Sequence, residues 1–159
     1  MATITSLLKA ATGNSQRGRN PYMVENTLDI VATTVDPSSG DVVQAITIPA
    51  GHKIMAAGVE VVESATMNTG TDATITLGAA DADEYVTSFD IDGAADGAYA
   101  PSVTVSADLV SATADTLDLT FAGDGATYTA GKLRVYAVMM DVSEQGDTTA
   151  NEVDRDALA

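Results

Sequence analysis

From Thr27 onward the apolar residues of this chain recur at every second position, and no ten-residue helical pattern separates the runs. Successive strand residues point to opposite faces, so a period of two builds strands with one face turned inward. The lack of intervening helices argues against parallel βαβ architecture. Leu28, Ile30 and Ala32 make the first run. Val42 to Ile48 makes the second and stops at Pro49-Ala50-Gly51. Lys53 to Glu63 is a long β-branched run, with Gly58 as an expected bulge. Ala73 to Leu77, Tyr85 to Phe89, Val103 to Leu109 and Leu117 to Phe121 follow. The last run, Lys132 to Val142, is apolar on both faces from Tyr136 to Met140, which predicts a strand in the middle of a sheet. Gly70-Thr71-Asp72 and Gly123-Asp124-Gly125 read as hairpin turns.

About eight short strands between turn signals predict an all-β fold, an antiparallel β-sandwich with the strand count of a jelly roll. Seven-stranded immunoglobulin-like topology is the alternative, but its Cys and Trp landmarks are missing. At 159 residues the chain can bury a real core as one domain.

Charge divides the sequence differently from hydropathy. Residues 1–24 hold Lys9, Arg17 and Arg19 and no carboxylate, whereas everything from Glu25 onward holds all 23 acids. The division predicts a cationic N-terminal arm (1–24), an acidic β-sandwich body (25–142) and an acidic C-terminal tail (143–159) that stays solvated. Ile4, Leu7, Leu8 and Ala11 are spaced as one stripe of a short helix, marginal unless a partner covers it. Opposite fields on arm and body suit a protein that grips a neighbour. The candidate partner-binding residues are therefore Ile4, Leu7, Leu8, Lys9, Arg17 and Arg19; a frayed terminus is the competing reading. A net charge of −16 argues against nucleic acid or an anionic membrane as partner. No stretch approaches a membrane span, and the N-terminal apolar piece is too short for a signal peptide.

Catalytic signals are weak. With no Cys, thiolate chemistry is excluded, and the single histidine, His52, sits in a turn without a nucleophile elbow. Asp81, Asp83, Asp90 and Asp92 supply oxygens that calcium could use, but their spacing misses the EF-hand pattern, and Asp is an ordinary turn residue. No metal and no cofactor is the expectation. A glycosidase or lectin would draw on aromatic platforms, and the chain has no Trp, two Phe and five Tyr. The chain is expected not to be an enzyme. A calcium-dependent adhesin or carbohydrate-binding module is the alternative from another class.

Four phrases carry a resemblance: Ile48-Pro49-Ala50-Gly51, Thr74 to Tyr85, Ala114 to Leu119, and Ala130 to Val142. Over roughly residues 27–142 the chain resembles small structural proteins of tailed bacteriophages, namely head decoration (cement) proteins and related virion β-proteins. The resemblance implies no catalytic residues. It implies a homo-oligomer, most often a trimer, seated on the major capsid protein at the capsid exterior, with terminal arms reaching neighbours. A head-fibre, neck or tail component is the alternative within the virion.

Overall fold

The computed structural model of the chain describes residues 20–31, 35–70, 72–100, 110–124 and 127–142, and the backbone of residues 3–4. The expected strand over Val103–Leu109 and the acidic tail lie outside the described residues. No helix occurs among those described. The strands are β1 (Thr3–Ile4), β2 (Tyr22–Asp29), β3 (Val42–Ile48), β4 (His52–Met67), β5 (Ala73–Gly78), β6 (Val86–Asp90), β7 (Asp115–Gly123) and β8 (Tyr128–Asp141). They form one sheet of order β2-β8-β4 and a second of order β3-β7-β5-β6, with β1 added beside β3. Every pairing is antiparallel except β1 with β3.

The order has a simple origin. β2 pairs with β8, β3 with β7, and β5 with β6. Tyr99 and Val110 each form an isolated antiparallel bridge to β4, at Glu60 and Lys53. Beside these bridges, Ala98 O accepts from Val61 N–H at 2.8 Å, and Ser111 N–H donates to His52 O at 3.0 Å. The described strands thus form one long hairpin of nested pairs, with β4 bridged at Glu60 and Lys53 in between, rolled so that its pairs lie side by side in two sheets. That is a jelly roll. At these points residues 98–100 and 110–111 bond to the outer edge of β4, which would otherwise offer a free ladder there.

Alternation produces the core. Leu117, Leu119 and Phe121 of β7 face Leu133, Val135, Ala137 and Met139 of β8 across the sandwich, and all are fully buried. Each large side chain removed from water contributes about 1.5–3 kcal/mol. No polar or charged residue is buried among them.

Three local expectations change. The Gly70–Asp72 and Gly123–Gly125 turns are not hairpins, because each carries the chain between sheets, from β4 to β5 and from β7 to β8. The crossings run side by side, with Asp124 N–H donating to Asp72 O at 3.3 Å. Gly58 is not at a bulge, since the β4 register shifts lie between Ile54 and Ala56 and beyond Val61. It is glycine because a Cβ there would stand 2.6 Å from the Tyr136 hydroxyl. Finally, Tyr22, Met23 and Val24 pair in β2, so the sheet begins three residues before the charge break.

Candidate assembly surface

Each sheet has an outer face as well as a core face. In β8 the core face takes Leu133, Val135, Ala137 and Met139, so alternation turns Lys132, Arg134, Tyr136, Val138 and Met140 outward. Pairing sets Lys132 opposite Glu63 and Asp29, Arg134 opposite Glu60 and Thr27, Val138 opposite Ala56 and Met23, and Met140 opposite Lys53. The face therefore has two ends. One is ionic: Lys132 Nζ lies 2.6 Å from Glu63 Oε2, and Arg134 Nη1 lies 3.0 Å from Glu60 Oε2. Hydrogen bonding and charge from Glu63 raise the Lys132 pKa. The other end is apolar and open. Met23 is 62% exposed, and Met55, the residue left over at the β4 bulge, is 45% exposed. Between the ends the Tyr136 ring meets Tyr99 edge-on at 6.3 Å, and Tyr99 is 58% exposed. The Glu60 charge holds the Tyr99 phenol above its ordinary pKa, with Arg134 acting against it.

The opposite sheet presents another surface. Its outward residues include Gln44, Thr74, Thr76, Thr116 and Thr120, and Gln44 Nε2 donates to Thr116 Oγ1 at 3.1 Å. Asp118 stands among them with its pKa raised by desolvation.

The expected site residues fall as follows. Leu7, Leu8, Lys9, Arg17 and Arg19 lie outside the described residues. Ile4 lies in β1, paired parallel with Val43, so the backbone at the expected start of the helical stripe is a strand. Asp81 and Asp83 occupy the β5–β6 turn, whereas Asp90 and Asp92 lie at the far end of β6, so the two pairs do not converge. Asp90 Oδ1 instead accepts the N–H groups of Asp92 and Gly93 at 3.0 and 3.1 Å, the turn-closing use of an aspartate. Among the described residues no three His, Cys, Asp or Glu side chains gather as a metal site. His52 opens β4, its Nδ1 3.2 Å from Ala50 O and its ring edge-on to Tyr22 at 5.9 Å. It lines a recess of about 90 Å³ with Ile48, Ile54, Tyr85, Glu84 and Asp115. Ligand pockets usually occupy ~300–1,000 Å³, so this recess is well below that size. Burial raises the Glu84 carboxyl pKa against two opposing backbone hydrogen bonds, and its Oε2 is buried without a partner.

Sequence reasoning missed the open Met23–Met55 end. The available signal was the stretch Tyr136–Met140, apolar on both faces. It marks a central strand, as expected, and Met139 belongs to the core. Val138 and Met140, however, face outward and are only half-buried.

Comparison with solved structures finds the same fold in phage capsids. A chain of the capsid of Ralstonia phage GP4 superposes with a TM-score of 0.62 at 14% identity, over 92% of this chain and 99% of that one. A chain of the cyanophage Pam1 capsid asymmetric unit gives 0.57 at 19% identity, over 82% and 91%. A chain of the acid-stable capsid of Helicobacter pylori bacteriophage KHP30 gives 0.54 at 13%, over 76% and 86%. No protein-family model and no curated protein matches this chain. The resemblance to virion β-proteins is met at the level of the fold.

Proposed function

We propose that this chain is a non-enzymatic virion structural protein, a decoration or cement protein that binds and stabilises a phage head lattice as an oligomer. The observation that carries this reading is the length of the structural match: nearly the whole of a small chain from each of three capsid structures shares the jelly roll. The physical design is compatible with it. A sandwich with an apolar core is a rigid body that a shell can repeat. Weak contacts from several subunits of one oligomer hold collectively. Its partners would be the major capsid protein and further copies of itself, in the trimer that the sequence resemblance implies. An acidic body suits the capsid exterior, away from packaged nucleic acid.

Binding to purified capsids tests the reading. The full chain should co-sediment with heads until saturation and raise their disruption temperature. A version lacking residues 1–20 should stay folded and lose that binding, because the arm is the proposed reach to the neighbour. Saturation at a few copies per particle would move the chain to a neck or tail role, and no binding would refute a virion role.

A further inference from the structure

The turn between β5 and β6, residues 79–84, folds back over the outer face of its own sheet. Gly78 is its seat: a Cβ there would stand 1.6 Å from the Asp81 carbonyl oxygen and 2.8 Å from the Ala82 carbonyl carbon. Tyr85 N–H then donates to Leu77 O at 2.8 Å and returns the chain to the ladder. Glu84 closes the turn on itself. Its carboxylate accepts backbone hydrogen bonds from Ala79 and Ala80, at the turn's other end. Its second oxygen, Oε2, is sealed from water without a partner. Register sets Asp118 of β7 opposite Gly78, beside the seat, and Asp118 Oδ1 is sealed and unpartnered as well.

The surroundings are acidic from each side. Asp81 and Asp83 stand on the turn, and Asp115 opens β7; Glu84 feels Asp81 and Asp115, and Asp118 feels Asp115. Gln44 of β3, opposite Asp118, is uncharged. The Tyr85 phenol, pushed up to about 12 by burial, stays neutral. His52 of β4 lines the same recess as Glu84. Lys53, Lys132 and Arg134 are the lysines and arginines among the described residues, and they stand on the outer face of the other sheet. Two sealed carboxylate oxygens therefore share one turn with further acids and with no described lysine or arginine. We infer that this turn is a pH-operated clasp, closed while Glu84 and Asp118 are protonated and loosened once they ionise.

The device follows from desolvation. A sealed carboxyl oxygen without a partner costs far more charged than neutral. Burial raises both carboxyl pKa values, and the neighbouring acids add to it; the Ala79 and Ala80 hydrogen bonds on Glu84 and the Thr116 bond on Asp118 act against it. A group whose pKa is raised in the closed state favours closure fully below its ordinary value, about 4 for a carboxyl, and that contribution is lost as pH rises through the raised value. A protonated His52 opposes closure, because it favours the ionised form of Glu84. Ionised Glu84 regains water only when the turn lifts. Ala80 to Asp83 are exposed, so none of the described residues holds the turn down from outside. Lifting bares Ile48, Ile54 and Tyr85, the apolar walls of the recess.

Amide hydrogen exchange of the full chain at about pH 4.5 and about pH 7.5 tests the clasp whether or not the chain binds capsids. With intrinsic exchange rates divided out, the Ala79 and Ala80 amides should lose at least about twofold in protection at the higher pH, relative to Val135 in β8. The double variant Glu84→Gln/Asp118→Asn keeps both groups neutral, so its turn should stay protected at both pH values. Equal protection of the wild-type turn at the two pH values would overturn the clasp. So would a pH response that survives in the double variant, or a variant turn left unprotected at both pH values while β8 keeps wild-type protection. Protection restored at the higher pH by millimolar calcium would assign closure to a bound cation and overturn it too.

Discussion

Asn26, on the edge strand β2, joins its sheet to β3 of the other. Its Nδ2 donates to Ala45 O at 3.0 Å. Ala45 sits at the register shift between Gln44 and Ile46, out of step with β7, and is fully buried. Replacing Asn26 by Ala removes the donor and leaves a buried acceptor unpaired, which costs about 1–3 kcal/mol. For a chain of this size, 1 kcal/mol moves the midpoint by about 2–4 °C, so the midpoint should fall by roughly 2 to 12 °C. Asn26→Asp should be worse than Asn26→Ala at pH 7, because a carboxylate oxygen would then face a carbonyl oxygen. Its deficit should shrink as pH falls through the carboxyl pKa, since the protonated acid can donate to Ala45 O. Thr27→Ala, exposed beside it, is the control. Differential scanning calorimetry at pH 7 and pH 4.5 reads all three. An Asn26→Ala midpoint within 1 °C of wild type, or an aspartate variant as stable as the alanine at pH 7, would refute this account of how the sandwich edge closes.

Three further predictions use other parts of the fold. A Cβ at Gly78 would stand 1.6 Å from the Asp81 carbonyl oxygen, so Gly78→Ala should destabilise by at least about 3 kcal/mol, read by urea unfolding. Glu84 and Asp118 have raised carboxyl pKa values, so their protonated forms are favoured on folding; their stabilisation is full below the unfolded values and is lost as pH rises through the folded ones. The melting midpoint should therefore rise from pH 7 toward pH 4.5, and less steeply in Glu84→Gln. Burial pushes the Tyr85 and Tyr128 phenols up to about 12, so absorbance at the phenolate band should stay incomplete near pH 11 until the chain unfolds.

The strands were legible because each buries one face, and burial writes a period of two into the sequence. Leu117, Leu119 and Phe121 are the plainest case. Turn chemistry was less informative. Gly70 and Gly123 mark a change of direction, but glycine does not say whether the chain returns to its own sheet or crosses to the other. Gly58 was visible as an anomaly, yet its cause is the Tyr136 ring across the pairing, and that contact exists only once register is known. The two-ended outer face of the β2-β8-β4 sheet was hidden for the same reason. Lys53 and Met140 are 87 residues apart, and only the β4–β8 register makes them neighbours. The arm residues chosen from the charge break, apart from the backbone pairing of Ile4, lie outside the described residues.

A virion role is tested most directly by composition of the particle. Quantitative mass spectrometry of purified phage from a culture that makes this protein should find it in the heads at a copy number comparable to the major capsid protein. Its absence from heads, or recovery only with the soluble fraction of the lysate, would contradict the role.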